Sequence, residues 1–181
     1  MSNTTRLSGG LINKSKEINF QFNKKAMKGF EGDTLASALL ANNQKLVARS
    51  FKYHRPRGIF TAGSEEPNAL VTLMNDGGPE PNTRATVIEL FEGLEARSQN
   101  HKGPLEFDFM QINDFLSPFL SAGFYYKTFM WPKKFWENLY EPIIRAAAGL
   151  GKLEEKSDPS IYDKGFLHCD LLIIGAGPAG L

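Results

Sequence analysis

"EINFQFNKKAMKGFEGDTLASALLANN", residues 17–43, is the stretch from which the fold can be read. Ile18, Phe20 and Phe22 alternate with polar residues, the period-two pattern of a half-buried strand. A turn over Asn23–Lys25 leads into a second short strand ending near Phe30, so the segment reads as a hairpin. Asp33 then supplies a helix N-cap, Leu35, Ala38 and Leu39 fall on one helical face, and Asn42 and Asn43 terminate it. Three further strands are expected in "KLVARSF" (45–51), "NALVTLM" (68–74) and "ATVIELF" (85–91). Hairpin, helix and then more strands is the order of a small ferredoxin-like β-grasp domain. Residues 17–98 are assigned to it, behind a polar, mobile arm over 1–16.

The chain changes character after this domain. Residues 99–167 read as an aromatic-rich helical connector and linker. Phe115, Phe119, Phe124, Tyr125, Tyr126, Phe129, Trp131, Phe135 and Trp136 crowd together in it. Pro132 and Pro142 can each open a short helix, "PKKFWENLY" and "PIIRAAAGL". Such rings carry large buried area, so the segment is expected to pack hard against something. It either clamps two domains of one polypeptide or forms a subunit interface or cofactor-cavity wall. "KLEEKSDPSIYDKG" (152–165) is polar and charged, as suits a linker.

The stretch "HCDLLIIGAGPAGL" (168–181) reads as the opening of a Rossmann-type α/β nucleotide-binding domain. Cys169–Ile174 is an apolar run of the kind buried parallel strands use, and Gly175, Gly177 and Gly180 have dinucleotide-turn spacing. The first glycine allows the tight turn, the second a close approach of backbone to pyrophosphate, and the third close helix–strand packing. Gly175, Ala176, Gly177, Pro178, Ala179 and Gly180 are therefore the candidate cofactor-binding positions. The turn by itself suits either NAD or FAD. The acidic residue expected about 20 positions later, which would bind a ribose hydroxyl, lies beyond Leu181.

Bulk composition excludes several classes. Apolar content of 41%, charged content of 23% and a net charge of +1 are those of an ordinary globular chain, with no basic excess for nucleic acid or an anionic membrane. The single cysteine, Cys169, rules out an internal disulfide and any multi-cysteine metal or iron–sulfur site in these residues. No secretory pattern opens the sequence and no run is long enough to span a bilayer, so a soluble, cytoplasmic protein is expected. His54, His101 and His168 are scattered, which argues against a metal site, and spacing defines no catalytic nucleophile–base pair.

One further stretch, "ARSFKYHRPRGIFTAGSEEPNALV" (48–71), places Arg49, Lys52, His54, Arg55 and Arg57 among Phe51 and Tyr53. The run is either a solvated strand face with a proline-fixed turn or a guanidinium clamp on a phosphate-bearing cofactor or acidic neighbour. His54 reads as a hydrogen-bonded structural histidine.

"GDTLASALLANN", this middle block and "CDLLIIGAGPAGL" together resemble the amino-terminal part of the alpha subunits of heterotetrameric sarcosine oxidases, from about residue 17 to the end. The resemblance implies oxidative demethylation of sarcosine to glycine with O2, yielding peroxide and passing the one-carbon unit to tetrahydrofolate. It implies NAD in the complete alpha subunit, FAD in a beta subunit, FMN at the alpha–beta interface, and beta, gamma and delta partners. It also implies a much longer polypeptide, of which these residues alone are catalytically silent. Related opine oxidase and hydrogen cyanide synthase subunits carry a [2Fe–2S] cluster in the equivalent small domain, with a pattern resembling F-C-G-x-G-x-C-x-x-C-L-V. Laid over Phe60–Val71, its cysteines fall on Thr61, Glu66 and Ala69, with a fourth near Ala85 or Thr86, so no iron–sulfur cluster is expected. The other readings are a related amine or opine oxidoreductase alpha subunit and a non-catalytic β-grasp interaction module.

Overall fold

A computed structural model describes residues 6, 7, 9–118, 123, 131–147 and 161–175. The hairpin pairs β1 (Asn13–Phe22) with β2 (Lys25–Glu31) in the register Ile18↔Gly29, Phe20↔Met27 and Phe22↔Lys25. Its two-residue turn holds Asn23 at φ 52° and Lys24 at φ 66°. That mirror-image turn has the twist that matches two right-twisted strands. Phe20 and Phe22 are each 1% exposed, and Ile18 and Met27 join them in the core.

The helix α1 (Leu35–Ala41) lays Leu35, Ala36, Ala38 and Leu39 into the same core. Its N-cap is Thr34 rather than Asp33: Ser37 N–H donates to Thr34 Oγ1, and Thr34 N–H donates to Ser37 Oγ. The carboxylate of Asp33 is already engaged. It accepts the N–H of Phe30, the Ser37 hydroxyl and the Arg6 guanidinium. Asn42 closes the helix, and Asn43 follows at φ 59°.

Two of the expected strands form in shortened or shifted ranges and one does not form. β3 (Ala48–Arg49) pairs with β4 (Pro56–Arg57) as a separate two-stranded ribbon. β5 (Leu70–Asn75) pairs with β6 (Gly78–Arg84) and with β7 (Glu95–Ser98). The main sheet runs β2-β1-β7-β5-β6, with β7 parallel to β1, which is the β-grasp arrangement in an α+β chain.

Residues 85–91 are not a strand. The carbonyls of Ala85 and Ile88 accept the N–H groups of Ala36 and Leu35, and Leu90 N–H donates to Asp33 O. These are orphan donors of the first helical turn, so the segment's hydrogen bonds are spent on the helix and not on a ladder. Leu90 is driven against the sheet where β2 has Gly29. A Cβ there would lie 2.3 Å from Leu90 Cδ2 and 3.2 Å from Ala38 Cβ.

The stretch 1–16, expected as a mobile arm, is engaged where it is described: Arg6 donates to buried Asp33. β1 begins at Asn13, but its first residues are exposed and held by Asn13 Nδ2–Glu31 and Lys16–Glu31 contacts, which leave no apolar signature. In the connector a helix spans Glu141–Ala147, preceded by a wide helical turn over Trp136–Tyr140, so the segment is helical from Trp136 and not from Pro132. Phe107, Phe109, Phe115 and Trp131 are two-thirds or more exposed, and the expected dense packing of the connector is not made by the described residues. Phe119, Phe124, Tyr125, Tyr126, Phe129 and most of 152–165 lie outside the described residues. Residues 169–174 form no strand, and Leu171, Leu172, Ile173 and Ile174 are well exposed. An apolar parallel strand takes its hydrogen bonds from neighbouring strands, and the described residues offer it none.

Truncating Phe20 to alanine is expected to cost about 3–5 kcal/mol, read as a lowered urea midpoint with an unchanged slope.

Candidate functional site

Between β4 and β5 the chain runs from Gly58 to Ala69 without helix or ladder, so its N–H groups need other acceptors. The close packing of the loop's start requires glycine: a Cβ on Gly58 would lie 2.7 Å from the carbonyl oxygen of Lys45. The main acceptor is one side chain. Glu66 is 0% exposed. Its Oε2 accepts the N–H groups of Phe60 at 2.8 Å and Thr61 at 2.6 Å, with the Thr61 hydroxyl at 3.3 Å. Its Oε1 accepts those of Asn68 at 2.7 Å and Ala69 at 3.0 Å. Arg84 Nε donates to the Glu66 carbonyl, and Thr86 Oγ1 donates to Gly63 O at 2.6 Å. Burial opposes ionisation of Glu66, but the N–H groups of Thr61, Asn68, Ala69 and Phe60 outweigh it and bring the pKa to about 2.

The cationic run resolves into separate roles. Arg49 is buried, and its guanidinium donates to the carbonyls of Leu105, His54 and Glu106 and to Gln111 Oε1. It ties residues 105–111 to the β3–β4 ribbon and presents no free face to a phosphate. Arg55 meets an acidic neighbour, Asp114, at 2.7 Å, and Arg57 donates to Asn68 Oδ1. His54, at φ 54°, is buried with Nδ1 2.5 Å from Asp108 Oδ2. Asp108 Oδ1 also accepts the N–H groups of Lys102 and Met110. Burial raises the Asp108 pKa, but these N–H groups and His54 together hold it below the usual carboxylate value. His54 is thus the structural histidine that the sequence suggested.

Of the nucleotide-turn residues, Gly175 is described, with φ 104°, a backbone conformation open to glycine. Ala176, Gly177, Pro178, Ala179 and Gly180 lie outside the described residues. The roles of Glu66 and Asp108 were not visible in the sequence. The one available signal for Glu66 was its place in an irregular loop whose amides needed an acceptor.

Fold and loop together define a class. Residues 15–101 match a protein family described as "2Fe-2S iron-sulfur cluster binding domain". Over nearly its whole length the chain is 64% identical, across 172 residues, to "Sarcosine oxidase subunit alpha" of Rhizobium meliloti (strain 1021), covering 95% of this chain and 17% of that protein. Proteins of the same name from Corynebacterium sp. (strain P-1) and Corynebacterium sp. (strain U-96) are 35% and 31% identical, over 94% and 100% of this chain and 13% and 15% of theirs. The chain therefore corresponds to the amino-terminal part of the sarcosine oxidase alpha subunit, and it spans about a sixth of the length of these relatives. A solved L-proline dehydrogenase from P. horikoshii overlaps 55% of this chain and 18% of its own, with 27% identity and a TM-score of 0.39.

The residues do not fit the cluster in the matched family's description. The stretch 15–101 contains no cysteine, and Thr61, Glu66, Ala69, Ala85 and Thr86 offer no thiolate. Among the described residues no group of three or more His, Cys, Asp or Glu side chains could hold a metal ion.

Because the folded pKa of Glu66, about 2, lies below its ordinary 4.5, ionised Glu66 stabilises the fold by about 3 kcal/mol above roughly pH 4.5. That contribution is expected to be lost as the pH falls from about 4.5 towards 2. An acid titration of melting temperature should show it in the natural chain and not in Glu66→Gln.

Proposed function

We propose that the chain is the amino-terminal portion of the alpha subunit of a heterotetrameric sarcosine oxidase working in the cytoplasm. The complete enzyme would convert sarcosine, O2 and tetrahydrofolate to glycine, H2O2 and the methylene-bearing folate. The two electrons leave the methylamine carbon for oxygen, and that carbon passes to folate. The observation that carries the reading is the 64% identity across 172 residues to a protein named for this subunit. No residue here is assigned to the chemical step, and these residues alone are expected to be silent.

Their local work in this proposal is twofold. The β-grasp domain is a rigid support for neighbouring parts of the enzyme: its core is closed, and its polar loop is satisfied by Glu66. Gly175–Gly180 begin the site that holds the paired phosphates of NAD in the complete subunit. FAD and FMN would be held through the beta subunit and its interface, with gamma and delta subunits completing the assembly. The exposed rings of Phe107, Phe109 and Phe115 support a role for the connector in contacts outside the described residues.

The test is co-expression of the complete alpha subunit with its beta, gamma and delta partners. The purified assembly is expected to give sarcosine-dependent peroxide and to retain NAD through gel filtration. Gly177→Val should abolish NAD retention, because its side chain fills the space that the pyrophosphate needs. Unchanged NAD occupancy in that variant would remove the turn from the cofactor site, and an assembly inert towards sarcosine would overturn the activity.

A further inference from the structure

We propose that Glu66 is an internal replacement for an iron–sulfur cluster: its carboxylate fills the anion-binding loop of this cysteine-free domain, and deleting it opens a site for a small carboxylate such as acetate. Two observations converge on this loop. The matched family is described by a [2Fe–2S] cluster, yet residues 15–101 hold no cysteine. In this irregular loop the amides of Phe60, Thr61, Asn68 and Ala69 all turn inward onto one fully buried carboxylate, that of Glu66.

The physical logic is one of charge and donors. A cysteine-ligated [2Fe–2S] group is anionic, and a loop wrapped around it turns N–H groups inward. With the cluster lost, those N–H groups would be buried without acceptors, which is unfavourable. A neutral apolar side chain would fill space and leave that cost in place. A carboxylate has two oxygens and about four lone-pair sites, which matches the four amides named. The compensation is local, because the nearby charges do not neutralise it: Arg84 binds the Glu66 carbonyl, and Glu65 accepts Gly63 N–H. The loop is therefore an anion site occupied by its own chain, and it has no vacancy for an electron carrier.

The experiment follows from the size of the deletion. Glu66→Ala removes a CH2–CO2⁻ group, which is the bulk of acetate. In the full chain this variant is expected to melt about 10 °C lower. Sodium acetate at roughly 0.1 M should recover about half of that loss, by mass action on the folded state, whereas sodium chloride at equal ionic strength should recover little and the natural chain should not respond. Equal effects of acetate and chloride on Glu66→Ala would overturn the proposal.

Should the variant fail to fold, the natural chain still decides the matter. Its amide resonances for Phe60, Thr61, Asn68 and Ala69 are expected to stay fixed between pH 7 and 4. If the four moved together with a midpoint near 4.5, the carboxylate would not be the bound anion.

Discussion

The parallel pairing of β1 with β7 is the constraint on which the rest of the molecule depends. Gln21 N–H donates to Leu94 O at 2.8 Å and Asn23 N–H to Ala96 O at 3.0 Å, joining segments that lie far apart in sequence. Asn23 Oδ1 reinforces the junction by accepting Ser98 N–H, and Glu92 caps the N–H of Asn19. A parallel neighbour cannot be reached by a tight turn, so everything between must cross over and return. That crossover contains α1, the β3–β4 ribbon, the loop of Glu66 and the segment 85–91. Each is packed in a position that the closure dictates, and Phe20, Phe22, Leu39, Val71 and Ala96 meet in one core as a result.

The sequence showed the hairpin and helix because their burial is strongly periodic. It concealed β7, although that strand is central, because "EARS" has only Ala96 fully buried and is otherwise polar or charged. It concealed β6 because "GPEPNTR" is an exposed edge strand, where prolines at 79 and 81 cost no central ladder bond. It overstated 85–91, where Ala85, Ile88 and Leu90 are buried but the backbone serves the helix N-terminus. The cap is Thr34, reciprocally bonded to Ser37, while the Asp33 carboxylate takes Phe30 N–H, the Ser37 hydroxyl and the distant Arg6. The Arg6 partner is set by topology and has no signature in local spacing.

The site was legible in a different way. The absence of thiolates is a plain fact of composition, and the resemblance pointed to the loop where they would stand. What replaced them was not legible, since an acidic residue in a Gly/Ser/Pro loop reads as solvated. The structure shows the reverse, a fully buried carboxylate whose desolvation is outweighed by backbone donors. Arg49 and the His54–Asp108 pair repeat the pattern on the neighbouring face, with buried charge bound by carbonyls and amides of the same chain. These polar groups are committed to holding the domain together, as suits a supporting part in a larger oxidoreductase.

Hydrogen exchange on the metal-free protein tests this view most directly. The account expects the amides of Phe60, Thr61, Asn68 and Ala69 to be protected as strongly as those of the β1–β7 junction, because an internal carboxylate holds them. Exchange of these four at the rate of an open loop, with the junction still protected, would contradict it.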